Sequence, residues 1–307
     1  MTEIALETND SNDEKLGRLL LLLTPAFMCA NMLMARASAD LFPPVALAFW
    51  RWAIAFLVLS LFIGPRLWRA RCHMLREWKD LVVLGGLGMG ICGAFVYIGA
   101  DSTSATNIGL IYSASPLMII LLSRLFYGER LSGRQNLGVF MGLLGVLAII
   151  ARGDPMSLLH LQFTTGDLWI ISATTGWAVY SILMRHRPSA MDMGTRFGAI
   201  ILFGVLTLSP FMLWEGIAVE APTLTWKTAG TVAFLALIAG LAAYGCYAKL
   251  QRLMGASKAS LVLYMVPIYN TALAYLLLGE TLQDYHWIGA ALVLPGLWLA
   301  TRKPKAS

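Results

Sequence analysis

Trp177 stands near the middle of a long apolar run, with Thr174, Tyr180, Ser181 and Met184 at i−3, i+3, i+4 and i+7. That spacing puts all five on one helical face. Indole and phenol groups in a dry core still need polar partners, so a polar-tipped aromatic face can hold a small amphipathic ligand by stacking and hydrogen bonding. The same stripe also serves plain packing between helices, and both readings stay open. Other polar groups lie deep in apolar runs: Asn31, Tyr112, Ser115, Tyr244, Tyr264 and Asn270, with Tyr97 nearer a run's end. Any one of them alone can be interhelical glue. Taken together, Trp177, Tyr180, Asn31, Tyr112, Ser115, Tyr244, Tyr97 and Tyr264 are the candidate substrate-binding residues.

The chemistry that is missing narrows the field. All seventeen acids and all four histidines fall in polar gaps or near the ends of apolar runs. An intramembrane enzyme needs a nucleophile with its base, or metal ligands, at bilayer depth. No catalytic residue, cofactor site or metal site is therefore expected. Cys29, Cys72, Cys92 and Cys246 have neither metal-ligand nor CxxC spacing. The run "GLGMGICG" holds a G-x-G-x-x-G at Gly88, Gly90 and Gly93, but that motif means dinucleotide binding only between a strand and a helix. In a lipid-spanning run it means close helix packing. Arg51, beside Trp50 and Trp52, is the deepest charge, about two turns into its run by the 3.6-residue period. It is either a snorkelling or packing arginine or a contact for a substrate carboxylate. Pro116 and Pro267 each lack an N–H and would free the carbonyl four residues back, at Tyr112 and Leu263. Such acceptors suit a substrate ammonium group, or accompany a plain packing kink.

These residues must be positioned by membrane-spanning helices. The 307 residues are 58% hydrophobic and 13% charged, with mean hydropathy +0.69. Soluble domains carry about 25% charged residues. A helix needs about 20 apolar residues to cross lipid, and ten such runs lie near 17–36, 44–63, 80–99, 105–126, 136–151, 166–186, 193–213, 229–250, 258–278 and 285–301. With the N-terminus inside, 18 of the 23 bases fall in cytoplasmic segments and only Arg36, Arg152 and Lys227 outside. That alternation follows the positive-inside rule and places both termini in the cytoplasm. The net charge of +6 is thus a topology signal and gives no reason to expect nucleic acid. The basic linker "GPRLWRARCHMLREWKD" reads as a membrane-surface anchor. The first 14 residues hold five acids and no base, unlike a cleaved signal peptide, and suggest a disordered lead.

The chain repeats itself. "GERLSGRQNLG" (128–138) returns as "GETLQDYHWIG" (279–289), displaced by 151 positions. Extended without gaps, 105–148 against 256–299 shares eleven of 44 positions, including Pro116/Pro267, Gly128/Gly279, Glu129/Glu280, Gly138/Gly289 and Gly145/Gly296. Each half then holds five helices, an odd number, so the second copy enters the membrane inverted. Inverted repeats of this kind frame alternating-access carriers. The expected organisation is an N-terminal tail (1–16), a first repeat (17–151), an external linker (152–165), a second repeat (166–301) and a basic tail (302–307). The fold class is an all-α integral membrane protein of ten helices around a central cavity.

The Pro…"GE-x-L"…Gly…Gly pattern closing each half resembles the EamA branch of the drug/metabolite transporter superfamily, and the overall match is most similar to its YddG-type bacterial amino-acid exporters. The resemblance covers about residues 17–301. It implies a basket of the first four helices of each half around the cavity, and export of amino acids, aromatic ones among them, across the bacterial inner membrane. The implied partners are a small-molecule substrate and the lipid bilayer, with monomer and homodimer both open. The competing functions are a multidrug or organic-cation exporter of the same superfamily, which the missing core acids weigh against, and an intramembrane enzyme or structural bundle.

Overall fold

The computed structural model describes residues 2–37, 42–103, 108, 111–112, 114–151, 154, 156, 159, 164–218, 225–269, 272 and 283–301. Every regular element among them is helical. Among the described residues five helices are by themselves long and apolar enough to cross a membrane: Pro44–Arg69, Trp78–Ala100, Gly133–Ile150, Met193–Ile217 and Trp226–Met254. Parts of the expected runs at 105–126 and 258–278 lie outside the described residues. Thr165–His186 carries Asp167 and several hydroxyl residues. Asp284–Thr301 opens on Asp-Tyr-His, and Ser115–Tyr127 has 13 residues. The run at 258–278 begins as Ala256–Ser260 and continues as a 3-10 turn over Leu261–Met265. Asn270 and Glu280 lie outside the described residues.

Two expectations need correcting. The first helix runs Thr2–Ala37, through the tail expected to be disordered. Ala, Leu, Glu and Lys are good helix formers, and Arg18 pairs with Glu14 at 2.7 Å, one turn earlier. The prolines also act differently. Pro116 sits in the first turn of Ser115–Tyr127, where a missing N–H costs nothing. Near Pro267, the Leu263 carbonyl accepts from the Val266 N–H through the 3-10 turn, so tightening the helix fills the acceptor that proline would have freed.

The chain packs as two compact units, each drawing on both halves of the sequence. One comprises 1–29, 116–161 and 246–307. Within it the repeated phrase becomes legible. Gly128, at φ 68°, ends the Ser115–Tyr127 helix in a left-handed turn that favours glycine. Glu129 then accepts from the Ser257 hydroxyl at 2.8 Å. Ser132 and Gln135 close a capping box that starts Gly133–Ile150. The second copy, through Leu282, lies outside the described residues. Gly133–Ile150 packs on Asp284–Thr301 through the repeated glycines. A Cβ on Gly138 would stand 2.4 Å from the Gly296 carbonyl, and one on Gly145 would stand 2.7 Å from the Gly289 carbonyl. The two helices therefore run antiparallel, and each glycine faces the repeat mate of the other.

The second unit comprises 30–115 and 162–245. Its helices also approach at glycine: a Cβ on Gly85 would stand 2.5 Å from the Gly204 nitrogen, and one on Gly166 would stand 2.6 Å from the Gly99 carbonyl. One end of the pair Pro44–Arg69 and Met193–Ala218 is tied by an acid. Glu215 accepts from the backbone N–H groups of Val45 (3.0 Å) and Ala46 (2.6 Å), which caps a helix whose own N-cap residue is Pro43. Asp192 accepts from the Gly194 and Thr195 N–H groups. The Thr195 hydroxyl bond holds its carboxyl below the usual carboxylate range, so this cap is intact at neutral pH and is lost as pH falls through that lowered value. Glu77 accepts from the Ser189 hydroxyl and the Ala190 N–H, and Arg187 pairs with Asp80. Glu215→Gln halves the acceptor capacity and removes the charge at a helix start. It is expected to cost about 1 kcal/mol, read as a lowered Tm of the purified protein.

Candidate functional site

Two helices of the second unit widen into π-helical segments, Gly86–Ile91 and Leu235–Ala242. Shifted by the repeat spacing of 151, the first becomes 237–242, inside the second. Widened turns turn carbonyls toward neighbouring groups and recur at functional sites. The Tyr244 hydroxyl donates to the Gly88 carbonyl at 3.0 Å. Arg51 Nη2 donates to the Ala239 carbonyl at 2.7 Å. Positions 88 and 239 are themselves 151 apart.

Around Tyr244 the aromatic face foreseen on Thr165–His186 closes into a cluster. The Tyr244 ring centroid lies 4.9 Å from Trp52 and 5.2 Å from Trp177, both edge-on, and 6.0 Å from Tyr180. Trp177 and Tyr180 tilt against each other at 5.7 Å. Glycines admit these rings: a Cβ on Gly88 would stand 2.8 Å from the Tyr180 ring, and one on Gly93 would stand 3.2 Å from Trp52 Nε1. Two glycines of the G-x-G-x-x-G run therefore serve ring packing, as the close-packing reading requires.

Beside Trp52 is a polar knot. Arg51, 1% exposed, donates from Nη1 to Asn31 Oδ1 and to the Tyr97 hydroxyl oxygen, each at 2.9 Å. Its guanidinium carbon lies 4.7 Å from the Trp52 ring centre, within cation–π range. Tyr97 also donates to Asn31 at 3.1 Å. Tyr112 lies within electrostatic reach of Arg51 and Tyr97.

The structure thus joins Trp177, Tyr180 and Tyr244 in one cluster and Asn31 and Tyr97 in the adjoining knot. Ser115 is fully buried, with its Oγ unpartnered among the described residues, and no hydrogen bond links it to either group. Tyr264 belongs to the other unit, where a Cβ on Gly142 would stand 2.6 Å from its ring. Sequence reading left Arg51 and Trp52 off the candidate list. A charge two turns from a helix end reads either as a snorkelling or packing side chain or as a substrate-carboxylate contact, and nothing in the local sequence announces a carbonyl 188 residues away.

The family model described as the EamA-like transporter family matches this chain over residues 15–151 and again over 164–302. Among curated relatives, "Uncharacterized transporter YyaM" of Bacillus subtilis is 25% identical over 92% of this chain and 92% of its own length. The "Probable amino-acid metabolite efflux pump" of Escherichia coli is 24% identical over 91% and 93%. The "S-adenosylmethionine/S-adenosylhomocysteine transporter" of Chlamydia muridarum is 23% identical over 87% and 86%. A solved protein structure superposes with TM-score 0.69 at 21% identity over 95% of this chain and 96% of its own. That likeness speaks to the fold.

Proposed function

The chain belongs to the EamA-like transporter family, a multi-pass membrane transporter, and from that premise we propose that it is a secondary carrier exporting amino acids and related small neutral metabolites, aromatic ones included, across a bacterial inner membrane. The observation that carries this reading is the joining, in one unit, of an aromatic cluster and a cationic polar knot. An aromatic amino acid has the same two poles.

The transport cycle is alternating access by two inverted five-helix repeats, 17–151 and 166–301, with ten spans and both termini cytoplasmic. Three features support it. The family model matches two successive stretches of the chain. The π-helical segments recur at the repeat spacing. The reciprocal glycine contacts between antiparallel helices have the pattern of a two-fold relation, in which residue i meets j and j meets i. One relative is described as a probable amino-acid metabolite efflux pump and another as an S-adenosylmethionine/S-adenosylhomocysteine transporter, so those names bracket a substrate class without choosing within it. Export of organic cations is the second reading. Four clustered rings favour it through cation–π attraction, and the Arg51 charge next to them opposes it.

Coupling follows from the same inventory. A proton-driven carrier needs a group that binds and releases a proton as the gates exchange, usually Asp, Glu or His. Asp167 is buried, but at a helix start, where it accepts from the Thr103 hydroxyl and the Thr164 N–H. A zwitterion moves no net charge, so the carrier is uncoupled and lets substrate run down its own gradient. In proteoliposomes, exchange and downhill flux of a neutral amino acid are expected to be nearly insensitive to an imposed pH gradient or membrane potential. Concentrative uptake driven by a pH gradient alone would refute this and make Asp167 the first residue to replace. A panel of amino acids, polyamines and quaternary cations in the same vesicles tests the substrate class.

A further inference from the structure

Arg51 is a buried charge whose bonds all end on neutral oxygens: an amide, a phenol and a backbone carbonyl. Among the described residues no carboxylate lies within ion-pairing distance of it. A guanidinium stays charged at any working pH, and a buried charge is costly unless paired. Its donors are unequally used. Nη1 gives both protons, to Asn31 and Tyr97. Nη2 gives one of its two, to Ala239, and Nε gives none among the described residues. Nε and Nη2 share one edge of the guanidinium plane, the edge that grips a carboxylate with two parallel hydrogen bonds.

We propose that Arg51 is the carboxylate anchor of the transported substrate, with Nε and Nη2 as the gripping edge and the Trp52, Trp177, Tyr180 and Tyr244 rings taking the apolar end. The inference rests on the transporter reading and narrows its substrate to molecules with an anionic carboxylate next to an aromatic or apolar group. Neutral oxygens hold the guanidinium until the substrate supplies its counter-charge. Charge-assisted bonds are roughly twice as strong as neutral ones, so a carboxylate can displace Ala239 or Tyr97 as partner. Amines and quaternary cations without a carboxylate meet an uncompensated positive charge at the same place. The anchor therefore also decides between the two readings of the cluster.

Thermal-shift titration of the purified full chain tests this with three small molecules of one scaffold: L-phenylalanine, L-phenylalaninamide, which lacks the carboxylate, and 3-phenylpropanoate, which lacks the ammonium group. Wild-type protein is expected to be stabilised by phenylalanine and 3-phenylpropanoate, each with an apparent Kd at least about tenfold below that of the amide, the scale of one lost charge-assisted pair. Arg51→Gln and Arg51→Lys, taken as monodisperse protein, are expected to lose that preference, because glutamine has no charge and lysine no planar fork. Equal affinity for phenylalanine and its amide in the wild type overturns the proposal without any variant. So does failure of every carboxylate to bind, or an undiminished preference in a folded Arg51→Gln. If 3-phenylpropanoate binds through Arg51 while no amino acid is transported, the anchor stands and the amino-acid reading falls. If amino acids and their amides are carried alike, the anchor falls and the carrier reading stands.

Discussion

Trp177→Ala is expected to lower transport of an aromatic amino acid at least about tenfold per folded molecule, corresponding to roughly 1.4 kcal/mol of lost binding. The Trp177 ring meets Tyr244 at 5.2 Å and Tyr180 at 5.7 Å, so truncation removes the shared wall of the cluster. It is also a core truncation, 6% exposed in the intact protein, and such changes cost about 3–5 kcal/mol of stability. Flux must therefore be normalised to folded protein by size-exclusion profile, with Trp177→Phe as the partner variant that keeps a ring. Loss of flux in a well-folded Trp177→Ala, partly restored by Phe, is the outcome expected of a binding wall. A fall in Tm with normal flux per folded molecule would leave Trp177 as packing alone.

The second large effect concerns the glycine pairs. Gly145 and Gly296 are repeat mates, and an added Cβ at either would stand 2.7 Å from a carbonyl on the opposite helix. Leucine at either position has to push Gly133–Ile150 and Asp284–Thr301 apart. Overpacking of this kind costs about 3 kcal/mol. Gly145→Leu and Gly296→Leu are each expected to lower Tm by similar amounts, because a two-fold relation makes the two sites equivalent. Gly230, exposed and with nothing within 4 Å of an added Cβ, is the control, and Gly230→Ala should be nearly silent. A large loss at one mate with none at the other would contradict the two-fold reading of this helix pair.

Much of the molecule could be read before any coordinates. Composition and the 151-residue repeat led to the membrane class and the transporter family, because lipid demands long apolar helices and a repeat leaves its mark on the order of residues. The shared face of Thr174, Trp177, Tyr180 and Ser181 was legible too, since helical periodicity is a local property, and all four prove buried. The proline kinks were misread because proline's effect depends on its place in a helix. Pro116 falls in a first turn, and a 3-10 turn supplies a donor to Leu263.

Other facts were beyond local reading. The sequence determined which polar groups the helices carry, because side-chain identity and helical phase are written along the chain. Only the tertiary structure decided which groups meet: Tyr244 with Gly88, Arg51 with Ala239, and Glu215 with the start of Pro44–Arg69. Those pairings depend on how helices far apart in the chain approach at glycine and where two of them widen into π turns. Backbone carbonyls carry no residue identity, so no pattern of letters could show which of them hold Arg51 and Tyr244.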